Sequence, residues 1–397
     1  MKKPIFRLFS LALLSLTFAT TTISCSSDDN TTEEQNPTDF VVERDNLQGE
    51  IKSGQHVTLT DGTYKLTGKL IVADGGKLTI KAGVKIEATA LSSDNDFNAV
   101  RYIAVGQGGQ IFVEGTSTNP VVMTAEEQVP GAWGGLVICG KAPINKGTSA
   151  TAEVSELTYG GTDANDNSGS VKYLRIEYSG YAYNADKEFN GLSMFGVGKG
   201  TTIEYVQIHE GSDDGFEWFG GTVDSRHLVV TNFANEVGDD LFDWTEGWNG
   251  TGEYWYGIRT NDGNRGIEAD NNSNNHLATP ISNPTINNLT LIGNNGGSEN
   301  HAIKLRVGTK AQFDNLVLKN WGTGFDIQHD EGVGYVASGE LKATRVKFEN
   351  ITTESKGTNT DGSEADVSGA YTVDNTATGA GNGTDMPNWA QGWTVGL

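Results

Sequence analysis

Cysteine is almost missing from this sequence: 397 residues contain two, Cys25 and Cys139. If Cys25 is consumed elsewhere, as its setting below implies, no intramolecular disulfide remains. Stability must then come from packing and bound ions. Positive charge is also scarce, with 28 Lys and Arg against 51 Asp and Glu and a formal net charge of −23. Such a surface excludes nucleic acid and disfavours anionic membranes, because phosphate binding needs the opposite sign. It suits divalent cations, cationic ligands or plain solubility. Beyond residue 24 no apolar run is long enough to span a bilayer as a helix, and long helical periodicities are absent. The histidines at 209, 227, 276, 301 and 329 are scattered, with no His-x-x-x-His or Cys pairing, which argues against zinc. Neither Gly-x-Ser-x-Gly nor a P-loop occurs.

The amino terminus sets the expected compartment. Lys2, Lys3 and Arg7 form a positive region, and residues 8–18 an apolar one. The stretch is too short for a spanning helix and reads as a signal peptide over 1–24. Thr22-Ile23-Ser24-Cys25 resembles a lipobox, with Thr22 where Leu is usual and Cys25 as the lipidated first mature residue. Ser26, Ser27, Asp28 and Asp29 resemble the signal that carries Bacteroidetes lipoproteins to the outer face of the outer membrane. Residues 25–46 read as an acidic, disordered tether. Processing removes three positive charges and no negative ones, leaving −26.

What the sequence does have is glycine, 52 against 8 prolines, punctuating short alternating runs. Lys77-Leu78-Thr79-Ile80, Gln110-Ile111-Phe112-Val113, Tyr173-Leu174-Arg175-Ile176 and Tyr205-Val206-Gln207-Ile208 each read as a short strand. A second motif recurs out of phase with these: Asp214-Gly215-Phe216-Glu217-Trp218, Asp240-Leu241-Phe242-Asp243-Trp244 and Arg265-Gly266-Ile267-Glu268-Ala269. Weaker copies centre on Ile303 and Phe325. Spacings near 22–26 residues with one longer step fit the coils of a parallel β-helix. No linker divides Leu47 from Leu397, and a solenoid can grow this long because each coil touches only its neighbours. The reading is all-β, a single-stranded right-handed parallel β-helix over 47–397. Alternation sends Phe216, Trp218, Phe242, Trp244, Ile267 and Ile303 into the bore as core.

Several segments together resemble a family of Bacteroidetes-type surface lipoproteins with a pectate-lyase-like right-handed β-helix. They include Trp133-Gly134-Gly135-Leu136-Val137-Ile138, the run from Val171 to Gly180, Asp239-Asp240-Leu241-Phe242-Asp243-Trp244-Thr245-Glu246-Gly247-Trp248 and Asn264-Arg265-Gly266-Ile267-Glu268-Ala269. The label "multidrug transporter" sometimes attached to that family does not suit a chain without membrane-spanning helices. The resemblance implies the fold and leaves the function open.

The outward column of the second motif carries Glu217, Asp243, Glu268, Lys304 and Asp326, with Asp270 and Arg306 two residues further along. Parallel strands lie about 4.8 Å apart, so these carboxylates become neighbours that need a cation or a proton between them. Three readings stay open. The column is a solvated acidic face. Alternatively, Asp214, Asp240 and Asp243 hold a structural Ca²⁺. Or Glu217, Asp243, Glu268 and Lys304 serve a polysaccharide lyase or hydrolase, with Arg306 and Asp270 on the sugar. Tyr181, Tyr183, Trp248 and Trp255 are loop aromatics that could stack on a ligand. Trp389 and Trp393 are expected to close the last coil. Asp163-Ala164-Asn165-Asp166-Asn167-Ser168-Gly169 starts like a calcium loop but has Leu174 where the bidentate Glu belongs, and Cys139 reads as a buried hydrophobe. The favoured function is non-catalytic binding or adhesion at the cell surface, of a polymer such as a polysaccharide, with an outer-membrane transporter as a partner.

Overall fold

The computed structural model describes residues 39–91, 99–184, 187–233, 238–260 and 263–397. Cys25 and the expected signal peptide lie outside the described residues. From Phe40 onward the chain is one unit, an all-β parallel solenoid whose strands join in a hydrogen-bonded system of 23. No helix among the described residues is long and apolar enough to cross a membrane.

One wall stacks Tyr102–Val105, Leu136–Cys139, Leu192–Phe195, Phe216–Phe219, Phe242–Thr245, Ile267–Ala269 and His301–Leu305 in parallel register. The far end of Ala311–Gln328 follows. In the later coils the remaining walls come from longer strands, among them Gly169–Glu177, Thr202–His209, Ser225–Asn232, Thr251–Arg259 and Thr285–Ile292. Each of these bends at one residue with left-handed backbone: Tyr173, Tyr205, His227, Tyr254 and Asn288, continuing at Asn315 and Arg345. Such a conformation strains a non-glycine residue. Stacking offsets it, since the rings of Tyr173 and Tyr205 lie 4.3 Å apart, Tyr205 and His227 4.2 Å, and His227 and Tyr254 5.1 Å. Farther along, the Asn315 amide donates to Asn288 Oδ1 at 2.8 Å.

The bore is filled as the alternation predicts. Phe216 stacks on Phe242, and Trp218 on Trp255 at 4.9 Å. Trp248 and Trp255 correct the sequence reading: both are fully buried in this core and cannot stack on a ligand. The Trp248 indole donates to Val223 O at 3.1 Å, which fixes it inside.

Both ends differ from expectation. Phe40 packs against the core and Arg44 O accepts from Lys65 N–H at 2.6 Å, so the chain is fastened to the first coil from Phe40, although residues 41–46 stay exposed. The last coil is closed by Tyr371, stacked on Phe325 at 5.8 Å, with Val367 and Ala370 buried beneath. Trp389 and Trp393 do not close it. Instead the C-terminal strap runs back along the outside of the solenoid. Ala380 N–H donates to Thr290 Oγ1, Tyr256 OH to Thr384 O, and Trp393 meets Tyr173 and Tyr205 edge-on. Buried Gln207 pairs with both backbone groups of Val395, at 2.7 and 2.9 Å.

Candidate functional site

The outward column forms as read. Register pairs Ser193 with Glu217, Glu217 with Asp243, Asp243 with Glu268, Glu268 with Lys304 and Lys304 with Asp326. Below Ser193 the same face is apolar, Ala104 and Val137, and it is not solvated. The insertion at 140–160 lays Ile144, Ala152, Val154 and Tyr159 over it, packed with Cys139, Phe195, Phe219 and Phe189. Tyr159 OH donates to Glu246 Oε2 at 2.6 Å and Lys146 pairs with the same carboxylate at 3.0 Å, fastening the insertion beside the acidic coils. Cys139 is buried there, as its apolar run predicts.

The column divides into two halves of different chemistry. In one, every cation is already matched. Arg265 pairs with Asp240 at 3.2 Å, Glu268 at 2.6 Å and Glu299 at 3.0 Å. Lys304 pairs with Glu299 at 2.8 Å; Arg306 grips Asp270 through two nitrogens, at 2.9 and 3.0 Å, and also reaches Glu268. Glu299, bonded to Lys304, is held down to about 2. The His301 ring faces Asp326 at 3.4 Å, and burial lowers its affinity for a proton.

In the other half, Asp213, Asp214, Glu217 and Asp243 make no ion pair among the described residues. Oxygens of Asp214, Glu217 and Asp243 lie within 4.8 Å of one another, as do those of Asp240, Asp243 and Glu268 and those of Asp213, Asp214 and Asp239. Asp214 and Asp240 are buried; Glu217, Asp243 and Glu268 are half-buried. Desolvation, then the neighbouring carboxylates, pushes Asp214, Glu217 and Asp243 well above the ordinary carboxylate range; the same causes lift Asp240 to about 8. Some relief comes from amides: Asn190 donates to Glu217 at 2.6 Å, and Asp240 N–H to Asp214 at 2.8 Å. Asp243 Oδ1 is buried without any hydrogen-bond partner. Hard oxygen donors at this spacing, one orphaned, fit a divalent cation such as Ca²⁺.

A family model described as a pectate-lyase like beta helix domain matches residues 49–394. The chain belongs to this pectate-lyase-like β-helix family. Among solved structures, the Dettilon tailspike protein gp208 is similar at 12% identity with a TM-score of 0.33, over 77% of this chain. This chain spans 62% of the tailspike's length. No curated protein matches the sequence.

Within this pectate-lyase-like helix the sequence-read residues sort clearly. Glu217, Asp243, Glu268 and Lys304 are brought together, and Asp214 and Asp240 join them. Tyr181 lines a separate cleft, and the side chain of Tyr183 lies outside the described residues. Arg265 was not read as a site residue. Its signal was present, because it occupies the motif position of Asp214 and Asp240 and therefore stacks on Asp240. Asn190, Glu299 and Glu153 sit in aperiodic insertions, where no repeat marks them. Glu153 adds to the charge around Glu217 and is itself raised by burial to about 7.

Proposed function

We propose that this chain is a lipid-anchored β-helix on the outer face of the outer membrane. In this reading it binds carbohydrate without cleaving it and is stiffened by a divalent cation held at Asp214, Glu217 and Asp243. The anchor and the compartment rest on residues 1–29 alone. One observation carries the cation and the lack of cleavage: among the described residues the cations of the column are spent on internal carboxylates, and none pairs with Asp214, Glu217 or Asp243. A lyase acting on acidic polymer needs a free cation facing the substrate, and Arg265, Lys304 and Arg306 are all engaged. The unmatched carboxylates favour a metal over a polyanion.

A second reading has its own support. Glu217 and Asp243 are adjacent and share raised proton affinity, and a close carboxyl pair is what a retaining glycosidase uses. A glycan-binding and polysaccharide-degradation screen, run with calcium and with chelator, separates the two. Binding without cleavage supports the first; cleavage abolished by Asp243→Asn establishes the second; silence towards every glycan removes both. Intact mass of membrane-extracted protein tests the anchor, through acyl chains on Cys25.

A further inference from the structure

Glu127 and the run from Val129 to Ala132, with Leu91, Tyr181, Ala182 and Ser212, line an open cleft of about 430 Å³, within the size range of small-molecule sites. Backbone bonds brace it. Gly131 N–H and Ser212 N–H both donate to Ser179 O, at 2.9 and 3.0 Å, and Tyr181 N–H donates to Trp133 O at 3.1 Å. The Ser212 hydroxyl donates to Gly180 O at 2.6 Å. Side chains at Gly131 and Gly180 would collide with Ser212 Oγ, and both glycines have left-handed backbone, so the cleft is shaped by main chain and does not collapse.

Its chemistry is amphipathic. Val129, Pro130, Ala132 and Tyr181 give apolar surface, and Val129 is 53% exposed, unusual for a large hydrophobe in this chain. Ser212 offers a hydroxyl, and Glu127 is the only charged residue among the described lining. A pyranose ring presents the matching pair of surfaces, an apolar C–H face and a rim of hydroxyls. A lone carboxylate accepts from hydroxyl or ammonium groups and repels another carboxylate.

We infer that this cleft is the saccharide site and that it takes a neutral or amino sugar, not a uronate. The inference rests on the carbohydrate-binding reading above and adds both the place and the class. Calorimetric titration of the full chain with cellohexaose, chitosan hexamer and hexagalacturonate tests it, beside Tyr181→Ala, Glu127→Gln and Ser212→Ala. The neutral or amino oligomer binds and hexagalacturonate does not. Tyr181→Ala weakens binding about tenfold or more, and Glu127→Gln, at an exposed position, weakens the chitosan oligomer most while the melting temperature stays unchanged. Equal binding by wild type, Tyr181→Ala and Glu127→Gln overturns the cleft and leaves carbohydrate binding standing. Preference for hexagalacturonate overturns the sugar class. No binding of any oligomer, with the fold intact, overturns the carbohydrate reading itself.

Discussion

Replacing Asp243 with Asn has opposite consequences with and without calcium, and the sign reversal is the prediction. The folded unit runs from Phe40 to Leu397. At ~2.1 cal/mol/K per residue its unfolding entropy is about 0.75 kcal/mol/K, so each kcal/mol moves the melting temperature by about 1.3 °C. Three carboxylates, Asp214, Glu217 and Asp243, make a site in the affinity class of extracellular calcium modules, with Kd about 10⁻⁴ M. Calcium at about 10 mM then adds about 2.7 kcal/mol, or a rise of about 3–4 °C over chelated protein. Asp243→Asn removes that rise. In chelator the same change relieves repulsion from Glu217 and Glu268 in the adjoining coils. One like-charged neighbour at strand spacing costs at most about 3.5 kcal/mol, and bound protons reduce it, so the variant melts about 1–4 °C above wild type. Calorimetry in calcium and in chelator at pH 8 reads both effects. Identical wild-type melts in the two buffers, or a variant that is less stable in chelator, would refute the cation site.

Chelated protein loses stability as pH rises: Asp240 titrates at about 8 when folded and near 4 when unfolded. Its contribution is thus full below about pH 4 and gone above about pH 8; a chelated melting series that climbs over that window contradicts the assignment. Trp393→Ala, at a fully buried indole, costs about 3–5 kcal/mol and lowers the melting temperature by about 4–7 °C, checked by circular dichroism. Gly169→Ala places a methyl 1.9 Å from Ile111 O at a φ of +111°, and chemical denaturation should show a loss of at least about 2 kcal/mol.

The column was legible because its spacing survives insertions: Phe216, Phe242, Ile267, Ile303 and Phe325 each fall on the next coil in register. Trp255 was lost to a loop because its strand, Thr251–Arg259, carries Gly252 and Gly257 where alternation would show apolar residues, and bends at Tyr254. Trp248 follows Gly247, a turn signal, yet the chain turns it inward. The sequence carries no trace of the 140–160 insertion lying over the wall, since a covering loop needs only scattered apolar residues such as Ile144 and Val154. Whether Lys304 was free or engaged also lay beyond periodicity, because its partner Glu299 comes from an insertion.

In a solenoid, neighbouring coils support one another and distant coils have no direct communication. The backward run of the last two dozen residues breaks that rule, joining Val395 to Gln207 across 188 positions. Those final residues leave the biosynthetic machinery after everything they fasten. The aromatic ledge of Tyr173, Tyr205 and His227 therefore stays uncovered until Trp389 and Trp393 have been made, and a chain stopped before Val395 lacks the seam to Gln207.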